Sequence, residues 1–176
     1  NYANEKLQKN FTGTTFSNEE GLYKAEGIEF SHIPYIDNQS VLDLLESPPK
    51  EKNGILMMLD EEAKLSGEAG TDANLLLKMT QRFKNKHPCY AVNFRTPDFF
   101  TIRHYAGDVV YKLEGFLEKS KDFVSPEVIA QLLGSPLPMV AALFGSDKEK
   151  LTQSRKPTIG FQFATQVGEL DGILSS

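Results

Sequence analysis

Apolar residues recur every fourth position at Ala3, Leu7 and Phe11 within NYANEKLQKNF, the spacing of one face of an amphipathic helix. The pattern predicts a helix running through Phe11 towards Phe16, with Gly13 interrupting it at about 1 kcal/mol relative to Ala, and then a loop over 27–34. Asp37 or Asn38 can cap a second helix in which Val41, Leu42 and Leu45 share a face, and Pro48-Pro49 stops it. After the polar turn KEKN, Ile55, Leu56 and Leu59 repeat the same grammar and run into Asp60, Glu61 and Glu62, so 41–65 reads as a helix-loop-helix. Thr71-Asp72 caps a further helix with Leu76, Met79 and Phe83 on one side.

The period then changes from helix to strand. Phe100, Ile102 and His104 alternate, the chain turns at 106–108, and Val109, Tyr111 and Leu113 alternate again, which predicts a β-hairpin. SPEVIAQLLG and SPLPMVAALFG each place a serine cap, a proline in the first turn and a closing glycine, at Ser125, Pro126 and Gly134 and at Ser135, Pro136 and Gly145. A polar loop follows, then a last helix with Phe163, Val167, Leu170 and Leu174 on one face. The expected fold is therefore mainly helical α+β, a helix-loop-helix plus a β-hairpin. Both ends fall inside predicted elements, so the chain is expected to be an excerpt, truncated at both ends, of a longer polypeptide.

Composition changes this picture little. With 176 residues, 40% hydrophobic and 24% charged, the chain can build one core. No apolar run approaches the roughly 20 residues of a membrane span and no leader pattern opens the chain, so the expected location is cytoplasmic. The net charge of −5 argues against nucleic-acid binding. Two local basic stretches stand out: Lys78, Arg82, Lys84, Lys86 and Arg95, and Lys148, Lys150, Arg155 and Lys156. Each is either a solvated face or a contact surface for an acidic partner.

Candidate chemistry is sparse. No GxxxxGK[ST], GxGxxG or GxSxG occurs. The single cysteine, Cys89, lies two residues from His87, too few ligands to argue a metal site over a plain thiol. His104, inside the apolar hairpin, reads as a packed, hydrogen-bonded histidine. Asp60, Glu61 and Glu62 point in successive directions on a helix and read as a solvated helix end. No catalytic or metal-binding residue is expected.

Five blocks in order, NYANEKLQKNF, DNQSVLDLLE, GILMMLDEE with GTD, HYAGDVVYKLEGFLEKSKD and FATQVGELDGILSS, span nearly the whole chain and together resemble the myosin motor domain. The resemblance implies a partial P-loop-type motor domain whose intact form is an actin-activated ATPase using ATP and magnesium. This segment itself carries no cofactor and partners the actin filament and the rest of the motor, its nucleotide site and converter. By position, 1–30 resembles the relay helix and loop, carrying Asn4, Glu5, Leu7, Phe11 and Phe30; many myosins have tryptophan where Phe30 stands. The stretch 37–65 resembles the main actin-docking element, which implies contacts at Asn53, Gly54, Ile55, Met58, Lys64 and Leu65. SPPKEKNG is longer and more charged than the common turn, and Lys64 stands where a large apolar residue is frequent. The stretch 84–97 resembles a secondary basic loop with Lys84 and Lys86, and 98–116 the hairpin. The segment 117–122 resembles the strut across the cleft, with Glu118, Lys119, Lys121 and Asp122, and Phe123 follows where proline is common. The stretch 146–160 resembles the cleft-spanning loop with Lys148, Lys150, Arg155 and Lys156. Finally, 161–176 resembles the start of the next actin-contacting helix, with Leu170, Asp171, Gly172, Ile173 and Leu174. The apolar stripes Leu42, Leu45, Leu56, Leu59, Leu76 and Leu170 are expected in the core. The implied function is the filament-binding and force-relay part of an actin-based motor on the actin cytoskeleton; the alternative is a free-standing actin-binding module without motor activity.

Overall fold

A computed structural model of the chain describes residues 1–31, 35, 37–46, 54–65, 70–93, 95–121, 126–145 and 158–174. Its first element, α1 (Tyr2–Glu26), is a single helix of 25 residues. Gly13 does not interrupt it, because the helix is fixed by neighbours over its first half and closed at a left-handed glycine: Gly27 has φ 71° and the Ile28 N–H donates to the Tyr23 carbonyl at 2.9 Å. The expected apolar face also turns the other way. Leu7 and Phe11 are exposed, whereas Glu5 and Thr12 are buried.

The helix-loop-helix has its expected helices, α2 (Gln39–Glu46) and α3 (Ile55–Ala63). Asp37 is the side-chain cap, accepting the Gln39 N–H at 3.0 Å, while Asn38 supplies only its carbonyl, which accepts from Val41, and turns its side chain to Glu5. Pro48, Pro49 and KEKN lie outside the described residues. Helix α4 (Asp72–Phe83) starts at Thr71, whose hydroxyl accepts the Asn74 N–H at 3.2 Å. Gly70 is required just before it: a Cβ there would stand 2.6 Å from the Leu65 carbonyl oxygen.

The hairpin is the larger part of a three-stranded antiparallel sheet, β1 (Tyr90–Val92), β2 (Phe99–His104) and β3 (Gly107–Lys112), in that order. His104 pairs with Gly107, so Tyr105-Ala106 forms the turn, one residue earlier than the sequence suggests. The strand β1 falls inside the stretch expected as a basic loop. Three residues are too short to show an alternation, and β1 is held by register, Tyr90 opposite Ile102. Phe100 and Ile102 face inward, and Phe100 stacks between Tyr90 and Tyr111 at centroid distances of 6.2 and 5.3 Å.

Four short or terminal helices complete the described chain: α5 (Phe116–Ser120), α6 (Pro126–Leu133), α7 (Pro138–Gly145) and α8 (Ile159–Leu174). The expected strut is thus helical up to Ser120. Helix α7 begins at Pro138 rather than Pro136, since the Ser135 hydroxyl accepts the Leu137 N–H in a turn before it. Leu44, Leu59, Leu75, Met79, Phe100 and Leu117 mark one core between α2, α3, α4, the sheet and α5. Cys89 is packed into that core. Among the described residues no helix is long and apolar enough to cross a membrane.

Candidate functional site

Helix α3 is the hub of the candidate site. Its first residues, Gly54 and Ile55, are buried, Ile55 at 3% exposure, so they support the corner from within rather than presenting contacts. Met58 is half-buried against the core, while Lys64 and Leu65 are exposed at the far end. Asn53 lies outside the described residues.

The acidic run at the end of α3 corrects the expectation of a solvated helix end. Glu61 is exposed, but Asp60 and Glu62 are buried at 2% and 0% exposure. Asp60 accepts the Thr158 N–H at 2.8 Å and pairs with Lys64; Glu62 pairs with Lys78 of α4. Asp72, at the start of α4, accepts the Gly115 and Leu117 N–H groups at 2.7 and 2.9 Å and so holds the start of α5. These carboxylates act as brackets between elements. Burying Asp60 and Glu62 costs desolvation that only their specific donors offset. The signal in sequence was an acid interleaved with apolar helix positions, but apart from Lys64 the partners of Asp60 and Glu62 lie 98 and 16 residues away.

Helix α8 lies across both α1 and α3. Gly160 lies against α3, where a Cβ would make ordinary contact with Leu56 and Leu59 methyls at 3.7 Å. Its outer face is open. Leu170, expected in the core, is 49% exposed, with Ile173 and Leu174 also exposed and Gly172 beside them. Asp171 differs from its neighbours, because it turns towards α1, where Asn10 donates to it at 3.3 Å.

The start of α1 is clasped by three other parts of the chain. One Glu5 carboxylate oxygen accepts from His104 Nδ1 at 2.9 Å and from the Tyr105 N–H at 3.0 Å; the other accepts from the Asn38 amide at 2.6 Å. Asn38 also donates to the Glu5 carbonyl at 2.8 Å. His104 Nε2 meets the Tyr111 hydroxyl at 2.8 Å, which in turn accepts from the Asn1 amide. This is the packed histidine expected from the hairpin pattern, and it joins α1, the segment before α2 and the β2–β3 turn in one buried network. Beside it Tyr2 donates to Glu46, and burial, then Glu46, push the phenol well above its ordinary range. Of the other expected relay residues, Asn4, Leu7 and Phe11 are exposed and Phe30 is half-buried against Tyr23 at 5.5 Å.

Lys84 is half-buried and Lys86 exposed, while Lys78 of the same basic stretch is committed to Glu62. Next to them burial holds His87 below its ordinary pKa, opposed by Asp43. In the segment expected as a strut, Glu118 and Lys119 are exposed, and Lys121 pairs with Glu118 at 3.3 Å. Asp122, Lys148, Lys150, Arg155 and Lys156 fall outside the described residues. Among the described residues no group of three or more His, Cys, Asp or Glu side chains could hold a metal ion.

A family model described as myosin head (motor domain) matches residues 1–176. The chain is 41% identical to a myosin-I heavy chain of Dictyostelium discoideum, with all of this chain and 8% of that protein covered. It is 39% identical to myosin-2B of Naumovozyma castellii, again over all of this chain, with 13% of that protein covered. Against myosin-8 of Arabidopsis thaliana it is 39% identical over its whole length, covering 11% of that protein. The chain thus spans about a tenth of the length of these curated relatives.

Proposed function

This chain belongs to the myosin motor-domain family, and from that premise we propose that it supplies the filament-binding and force-relay part of an ATP-driven, actin-based motor working on the cytoplasmic actin cytoskeleton. The P-loop-type half, with ATP and magnesium, would lie in the rest of the motor. The chain has no GxxxxGK[ST] motif, and we assign it no catalytic residue. The actin-activated ATPase is the activity of the whole.

One observation carries the reading: the proposed relay α1 and the proposed docking elements α2, α3 and α8 form one continuous block. Glu5 binds Asn38, the residue just before α2, Asp60 binds the residue that opens α8, and α8 lies across α1. A displacement of α1 cannot leave the filament-facing side unchanged when the joints between them are buried and satisfied. Filament docking and nucleotide state would then favour different arrangements of the same block, and each would alter the affinity for the other. Met58, Lys64, Leu65 and the outer face of α8 at Leu170, Ile173 and Leu174 are the contacts we assign, with Lys84, Lys86, Lys148, Lys150, Arg155 and Lys156 steering the approach.

Cosedimentation of the intact protein with actin filaments tests this. Leu65→Asp is expected to weaken binding about tenfold, the effect of putting a charge into an apolar contact, and leave the filament-free ATPase rate unchanged. Absence of sedimentation of the unmodified protein even at low salt would reject the reading.

A further inference from the structure

Between β1, β2 and the loop after α4 lies a cleft of about 490 Å³ lined by Lys84, Asn85, Lys86, His87 and Arg103 together with Pro88 and apolar strand residues. No carboxylate lines it among the described residues. Asp43 acts on His87, and Asp108 stands opposite Arg103 in the strand register.

Lys86 and Arg103 are held differently from several other cations among the described residues. Lys6, Lys9, Lys64, Lys78, Lys112 and Lys121 rest against carboxylates. Lys86 instead donates to the Gln81 carbonyl at 3.0 Å, and Arg103 Nη1 donates to the Pro88 carbonyl at 3.1 Å. A neutral carbonyl fixes the side chain without cancelling its charge. The loop is tightened by Asn85, whose φ of 57° is left-handed and suits asparagine among non-glycine residues. The result is preorganised, concave and positive.

We propose that this cleft is a binding site for a small, multiply charged phosphoryl anion, held by Arg103 and Lys86. An anchored guanidinium matches paired phosphoryl oxygens, and the Lys86 ammonium adds a point charge. A concave site favours a compact anion over an extended acidic polypeptide, which would gain more from a flat stripe. The site stands independently of the filament reading, since it requires only the fold of β1, β2 and the loop.

The test is calorimetric titration of inositol hexakisphosphate into the full-length protein, with the His87 imidazole resonances followed in parallel. Saturable binding is expected, weakened about tenfold or more by Lys86→Glu and again by Arg103→Gln, with the His87 resonances moving in step. Lys86 is exposed, so Lys86→Glu leaves the fold intact. Affinity unchanged in both variants, or His87 resonances that stay still during binding, would overturn the proposal. So would tighter binding of a polyglutamate peptide than of the phosphoryl probe, which would assign the cleft to a polypeptide partner.

Discussion

Glu62 has no exposed surface; its Oε2 meets Lys78, and its Oε1 has no hydrogen-bond partner among the described residues. Removing the cation alone strands a buried carboxylate, so Lys78→Met is expected to lower stability by about 1–3 kcal/mol, below the full range for a buried pair because Lys78 is half-exposed. Adding Glu62→Met should recover most of that loss, and chemical denaturation of the two singles and the double reads the coupling directly. A second residue-scale effect concerns acid. Burial keeps the folded pKa of His87 below 6.5, so the unfolded chain takes up that proton first. The contribution is complete above pH 6.5 and is lost as pH falls through the folded value. His87→Asn should therefore flatten the fall of the urea midpoint between about pH 7 and 5. Neither residue's role was legible in one dimension. A run of acids looks solvated until Lys78, 16 residues on, comes into reach.

At the scale of elements, the glycines of α1 separate propensity from necessity. A Cβ at Gly13 or Gly21 meets nothing within 4 Å and both lie inside the helix, so Gly13→Ala and Gly21→Ala should each raise the thermal midpoint, by up to about 1 kcal/mol of stability. Gly27 is equally unobstructed but left-handed, and Gly27→Ala should lower it by about 1 kcal/mol. Equal effects at all three would contradict the observed helix end. These residues also show where the sequence was readable. The inward set Phe100, Ile102 and His104 followed from alternation, since one buried face fixes register, and Thr71 followed from cap chemistry. The length of α1 did not follow, because tertiary contacts at Glu5 and Thr12 outweigh the propensity cost of a glycine. The outward turn of Leu7, Phe11 and Leu170 did not either, for periodicity gives a stripe but not the direction it faces. The family resemblance was carried by ordered motifs such as HYAG and GTD, which no periodicity supplies.

For the whole molecule, the account makes the chain a coupling part: its carboxylate brackets, buried at Glu5, Asp60 and Glu62 and half-buried at Asp72, join distant segments, and the exposed side chains proposed to meet a filament sit on the elements those brackets hold. Coupling of this kind is a free energy between two sites and is reciprocal. The Glu5 junction is where the proposed relay meets Asn38, just before the proposed docking element, so weakening it should uncouple without abolishing either partner's binding. The most direct measurement is the actin affinity of the full-length protein with and without ATP, in the unmodified form and in Glu5→Gln. The account predicts that ATP weakens filament binding of the unmodified protein by at least about tenfold, and that Glu5→Gln binds filaments normally without ATP but loses most of that ATP-dependent change. An ATP effect of the same size in Glu5→Gln would contradict it.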